Sequence, residues 1–365
     1  MKTAIKMLPI VAIAVVVLLG VPALAFHDEG VAHCNGCHTM HNSYEGALVD
    51  ADSPNGNPWL LVDATPSDTC LGCHSGANSS RGVFDGDCNT GHSREKGAGN
   101  YIFLTCPDLR ESTRGAIIPG ERAGHNLDAP GNLLATDTTL VAAPGGTFPA
   151  SQMGCTSCHD PHGTNSFRLL YGARLVQGFY NFTNPPPTAV KNSGGAEGVA
   201  DHTAYNGGMS EWCGNCHTNF DAIGVTHKHP TGLDDGALGA GIATAYNLYN
   251  GSDDLIGGAA ATAYWPEVPF EDADDVTYTT ASTQGPTASS RVMCLTCHRA
   301  HATSAASSGR WDFNVTFNEE DGDAWGTFEL AQRISNLSTN ANRSLCNKCH
   351  VKDVDDEIKP DGGPY

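Results

Sequence analysis

Six copies of Cys-x-x-Cys-His constrain this chain more than any other feature. They are Cys34/Cys37/His38, Cys70/Cys73/His74, Cys155/Cys158/His159, Cys213/Cys216/His217, Cys294/Cys297/His298 and Cys346/Cys349/His350. Two thiols at this spacing can add to the two vinyl groups of one haem. The histidine that follows then lies under the iron as its proximal ligand. This is the signature of c-type haem attachment, and it accounts for 12 of the 14 cysteines. Zinc sites use paired cysteines but have no need of a histidine after every pair. A redox dithiol needs one motif beside a βαβ pattern, which the chain does not show. Simple disulfides would not keep the histidine in register.

The first cysteines of successive motifs lie 36, 85, 58, 81 and 52 residues apart. The repeat is therefore chemical, not a fixed-period solenoid. Long runs of helical or strand periodicity are missing, and Gly, Pro, Asn, Ser and Thr are abundant. The expected fold is a multihaem c-type cytochrome, mostly coil with a few short helices, in which haem contacts replace much of the regular packing. Ser210-Glu211-Trp212 is a candidate cap and start for a helix before Cys213, and Asn342 for one before Cys346. Leu238 to Tyr249 and Ala324 to Leu337 are further helix candidates.

The chain opens with a basic n-region (Lys2, Lys6), an apolar run from Met7 to Val21, and Ala23-Leu24-Ala25. This pattern is that of a secretory signal peptide over residues 1–25, cleaved before Phe26. Residues 26–365 then form a single domain, with an acidic tail from about 352 to 365. Without Lys2 and Lys6, 18 of the 20 basic residues remain against 40 acidic ones, a net charge of −22. That balance argues against nucleic acid and against anionic membrane surfaces.

The histidine count separates an enzyme from a carrier. Six of the 16 histidines are proximal, leaving His27, His33, His41, His92, His125, His162, His202, His227, His229 and His301. Six distal imidazoles would fill the last coordination position of every iron. Such an iron has no site for substrate but still exchanges electrons, so no catalytic residue is assigned. Two of the six methionines leave with the signal peptide, which favours histidine on both faces. The stretches CHTMH, CHDPH and CHRAH place His41, His162 and His301 three residues beyond a proximal histidine. The macrocycle keeps each from its own haem, so each must serve another. Three residues span at most ~10 Å of backbone, so the two irons served are neighbours. His125 in RAGHN, His229 in HKHPTG and His92 in CNTGH complete the set, with His227 as an alternative to His229. His27, His33 and His202 are left out.

The stretches FHDEGVAHCNGCHTMHNS, APGGTFPASQMGCTSCHDPHG, GMSEWCGNCHTN, HPTG, CLTCHRAHA and CNKCHVKD resemble the OmcS-type hexahaem cytochromes of metal-reducing bacteria. Anchors extend over nearly the whole mature chain, and CLGCH matches in position. The resemblance implies a continuous stack of six covalent haems and bis-histidine ligation. It also implies an exported, extracellular or outer-surface location and head-to-tail polymerisation into conductive filaments. His41 would then ligate a haem of the adjacent subunit, that of Cys294/Cys297/His298. Electrons would come from periplasmic or outer-membrane redox partners and leave to external acceptors such as metal oxides. A monomeric periplasmic or surface carrier would share every motif. The chain departs from the family at Cys88 and Cys106, which are extra. In an oxidising compartment they pair most simply as a disulfide. The alternative is that Cys88-Asn89-Thr90-Gly91-His92 is a degenerate attachment motif with one thioether.

Overall fold

The computed structural model describes residues 34–76, 82–84, 97–106, 108–110, 117–119, 122–193, 197–221, 229, 231–232, 236–249, 257–272, 278–303, 305–310, 313 and 345–350. The signal peptide, the acidic tail, His27, His33, Cys88, His92, His227, Asn342 and the helix candidate at 324–337 lie outside them.

Among the described residues, regular structure is sparse. The α-helices are α1 (Pro66–His74), α2 (Met209–Cys213), α3 (Thr218–Asp221), α4 (Gly239–Leu248) and α5 (Cys294–Cys297). The strands pair only as two-stranded antiparallel ladders. These are β1 (Ser43–Tyr44) with β2 (Ala47–Leu48), β3 (Asp108–Arg110) with β4 (Ile117–Pro119), β5 (Arg174–Val176) with β6 (Tyr180–Phe182), and β7 (Thr188–Val190) with β8 (Ala204–Gly207). No described helix is long and apolar enough to cross a membrane.

Local chemistry explains where the helices begin. Thr65 caps α1: its hydroxyl accepts from the Asp68 amide at 3.0 Å, and Pro66 occupies the first turn. α4 falls within one residue of the expected Leu238–Tyr249 segment and buries Ala243 and Tyr246, one turn apart. The start of α2 differs from the sequence expectation. Gly208, in the left-handed region at φ 82°, precedes it, and Ser210 lies inside the helix without capping it. The Ser210 hydroxyl is committed elsewhere, as described below.

The core is divided. Among the described residues, four separate apolar clusters centre on Leu71/Phe103/Leu127, on Tyr246/Tyr264/Phe270, on Tyr205/Met209/Met293, and on Tyr171/Val176/Phe182. Each has motif cysteines at its margin: Cys155 at the first, Cys297 and Cys349 at the second, Cys213 at the third and Cys216 at the fourth. An ordinary domain has one contiguous core with small satellites. Here the apolar side chains are distributed as walls beside the motifs.

Candidate haem sites

Every motif is built on one helical turn. The histidine amide donates to the carbonyl of the first cysteine in five of them, at 2.9 Å for His38, 3.0 Å for His159, 3.0 Å for His217, 3.0 Å for His298 and 2.9 Å for His350. The sixth, Cys70 to His74, is the end of α1. Residues three and four apart share a helix face, so the turn presents both sulfurs and the imidazole on one side.

The motifs adjoin one another in chain order. Cys37 feels the Cys73 thiol, Cys70 is hydrogen-bonded to Cys155, and Cys158 feels Cys216. Cys213 is hydrogen-bonded to Cys294, and Cys297 feels Cys346 and Cys349. Contact thus alternates between second cysteines and first cysteines along the chain. Burial pushes the Cys216 and Cys297 thiols up to about 12, and Cys349 to about 11. At these three cysteines the shift is opposite to that of a reactive thiol, whereas the hydrogen bond from Cys70 lowers Cys155.

The imidazoles meet in pairs. Ring centres lie 6.3 Å apart for His38 and His162, 6.4 Å for His159 and His301, 6.0 Å for His125 and His217, and 5.8 Å for His229 and His350. Two imidazoles on one metal ion, each nitrogen about 2 Å from it, hold their ring centres about 6 Å apart. Each pair joins a proximal histidine to a distal candidate from elsewhere in the chain. His38 and His162 are nearly parallel, with 6° between ring planes. Close backbone approach positions two of these rings. A Cβ at Gly124 would collide with the His301 carbonyl, and the His125 amide donates to that same oxygen at 3.0 Å.

The outer hydrogen bonds set which nitrogen faces inward. Nδ1 donates to a backbone carbonyl in His38 (Trp59, 3.0 Å), His125 (Ala300, 2.6 Å), His159 (Arg168, 2.8 Å), His217 (Pro144, 2.8 Å) and His298 (Ser307, 2.9 Å). This fixes the tautomer and leaves Nε2 free to face a metal. In motifs one, three and five the device is the same. The accepting residue is the first of two consecutive left-handed residues: Trp59–Leu60, Arg168–Leu169 and Ser307–Ser308, all with φ between 51° and 59°. The second residue of each pair accepts from the amide after the histidine, as in Thr39 to Leu60, Asp160 to Leu169 and Arg299 to Ser308. Non-glycine residues in this region cost roughly 1–2 kcal/mol apiece. Strain recurring at three equivalent places marks a functional constraint.

Burial keeps His125, His159, His298 and His350 below the ordinary imidazole value and holds His301 down to about 3. Neutral imidazole is the ligating form. Paired imidazoles, inward Nε2 atoms and adjacent free thiols together fit haem c.

His202 shows the contrast. It is fully buried, stacked on Tyr264 at 3.7 Å, and both its nitrogens meet carbonyls, of Thr203 and of Ser282. It has no nitrogen to offer a metal, in keeping with its omission from the ligand set. His298 meets the Phe313 ring at 5.6 Å, and among the described residues no imidazole pairs with it or with the exposed His41. The distal candidate His92 lies outside the described residues. Cys106 is disulfide-bonded while the twelve motif cysteines are free, and the other candidate for that bond, Cys88, lies outside the described residues.

Sequence reading missed the carbonyl acceptors and the serines that link motifs. The Thr65-Pro66-x-Asp68 start of α1 was legible as a cap signal. The left-handed pairs carried none, since Trp, Arg and Leu do not announce positive φ.

Comparison with known proteins agrees. A family model described as a doubled CXXCH motif matches residues 148–177, around Cys155 to His159. The C-type cytochrome OmcS of Geobacter sulfurreducens is 33% identical, with 97% of this chain and 100% of that protein covered. Two solved structures are similar over 90% of this chain and 100% of theirs. One is the outer membrane cytochrome S filament of Geobacter sulfurreducens, at TM-score 0.76 and 30% identity. The other is the OmcS nanowire, at 0.77 and 32%. A relative this similar over nearly the full length, sharing the fold that sets the motifs side by side, shows that the chain belongs to the OmcS family of c-type cytochromes.

Proposed function

We propose that this protein carries electrons through six covalently bound haems, each with two histidines on its iron, as a subunit of an extracellular filament that delivers electrons to external acceptors. Bound haem supplies reversible one-electron chemistry. The chain's residues attach it, orient it and close its open face. The paired rings support the assignments His38/His162, His159/His301, His217/His125 and His350/His229. His92 is then left for His74. Filling every axial position leaves none for substrate, so the chain is a carrier and has no catalytic residue.

One observation carries the filament reading. The histidine three residues beyond motif three pairs with motif one, and that beyond motif five pairs with motif three. The same step assigns His298 of motif five to the histidine beyond motif one, His41, of a following copy. A ligand donated head-to-tail generates an open polymer unless the rotation closes a ring. The similar solved assemblies, a filament and a nanowire, support this reading. The signal peptide would direct export, and periplasmic or outer-membrane redox partners would load the subunit.

The test is His41→Ala. Filaments should vanish by electron microscopy, while a pyridine haemochrome assay still returns six haems per chain. Normal filaments from this variant overturn the bridging ligand and leave the monomeric carrier.

A further inference from the structure

We propose that Ser67 and Ser210 are positioning residues that hold consecutive haem-bearing motifs in register. The inference rests on the haem reading of the motifs and goes beyond it.

Each serine lies three residues before the first cysteine of an even-numbered motif, Ser67 before Cys70 and Ser210 before Cys213. Each hydroxyl accepts from the first cysteine amide of the next odd-numbered motif. The distances are 3.1 Å from Cys155 to Ser67 and 3.0 Å from Cys294 to Ser210. The donating amides open one-turn helices, where a backbone donor has no partner within the helix. The caps inside those turns are already engaged. Ser157 takes the Gly154 amide and Thr296 the Met293 amide, both at 3.0 Å. The cysteine amide therefore needs an acceptor from another part of the chain, and the preceding motif supplies it.

Helix geometry explains why serine stands at this offset. Residues three apart lie on one helix face. The serine hydroxyl and the first cysteine sulfur of α1 thus address the same neighbour, and so do those of α2. The sulfurs do meet, Cys70 with Cys155 and Cys213 with Cys294. Two fixed points, oxygen to amide and sulfur to sulfur, leave little freedom to slide one turn against the other. Ser67 is 1% exposed and Ser210 0%, so water cannot replace the hydroxyl. Two junctions 143 residues apart in sequence (67 to 210) reproduce the same arrangement. Motif six carries Arg343 at the equivalent position, so this clasp belongs to the two internal junctions.

The sulfurs at these junctions become the thioethers of neighbouring haems, so the clasp governs the relative placement of the haems on motifs two and three, and on four and five. The test uses the secreted holoprotein with Ser67→Ala, Ser210→Ala and Ser67→Thr. In both alanine variants the Soret circular-dichroism couplet, which reads the mutual orientation of adjacent haems, should shrink severalfold with six haems still attached. Threonine, which keeps the hydroxyl, should restore it. An unchanged couplet in the alanine variants overturns the proposal. Loss of the couplet in Ser67→Thr as well assigns the effect to packing, and likewise overturns it. Should the alanine variants not fold, hydrogen exchange of the wild-type protein decides. Slow exchange at the Cys155 and Cys294 amides is expected, and fast exchange at either overturns the clasp. A wild-type assay that finds no covalent haem instead overturns the underlying haem reading.

Discussion

At the scale of single residues, the buried histidines fall into two kinds that composition does not separate. His301 sits within reach of His159, and burial holds it neutral. His202 is fully buried, but carbonyls occupy both its nitrogens and Tyr264 covers its face. The two should respond oppositely to substitution. His301→Ala should convert one iron to high spin, visible by electron paramagnetic resonance, with modest loss of stability. His202→Ala should leave all irons low-spin but cost roughly 2–4 kcal/mol, read as a lower Tm. Its removal deletes a packed ring and the N–H that it donates to a neighbouring carbonyl. A high-spin signal in His202→Ala would remove the distinction drawn between them.

At the scale of elements, the helices are too short to persist alone and depend on partners beyond their ends. Helix α2 is held at its start by Glu271, whose carboxylate accepts from the Met209 amide at 2.8 Å. Glu271 is fully buried, and burial is the main cause of its rise to about 7. Nearby Glu211 adds to the rise, while the Met209 bond and Arg291 oppose it. A carboxyl raised above its unfolded value binds its proton more tightly when folded. Its contribution is therefore complete below about pH 4.5 and is lost as pH rises through about 7, an effect of up to about 3 kcal/mol. Glu271→Gln keeps an acceptor for Met209 and removes the titration. Thermal melts of the wild type should fall between about pH 5 and about pH 8, and those of the variant should stay level over that range. A wild type with the same Tm at both ends would contradict this. The strained turns belong to the same scale: Trp59–Leu60, Arg168–Leu169 and Ser307–Ser308 repeat one backbone solution with three different pairs of side chains.

At the scale of the whole molecule, the described residues form four small clusters where one core is usual. Each wall is completed by what the adjacent cysteines hold. A chain produced where haem attachment cannot occur should therefore show no cooperative unfolding transition by calorimetry and a weak near-ultraviolet circular-dichroism signal. A sharp transition in that material would mean that the side chains suffice.

Much of this was legible beforehand, for reasons of distance along the chain. Attachment needs two sulfurs and an imidazole within one helical turn, so Cys155, Cys158 and His159 announce their role by adjacency. The same locality exposed His41, His162 and His301, placed a fixed three residues further on, and the α4 segment. Pairing was not legible. His38 meets His162, and His125 meets His217, across loops of variable length. No spacing rule connects the members of such a pair, because only the folded backbone brings them within one metal's reach. The carbonyls that fix the tautomers, and the serine hydroxyls that link one motif to the next, are likewise long-range partners. Sequence alone pointed to haem c and to the cysteines proposed to attach it. Their order in contact, and which imidazoles face each other, were settled by the tertiary structure, since those contacts join residues that are neighbours in space and strangers in sequence.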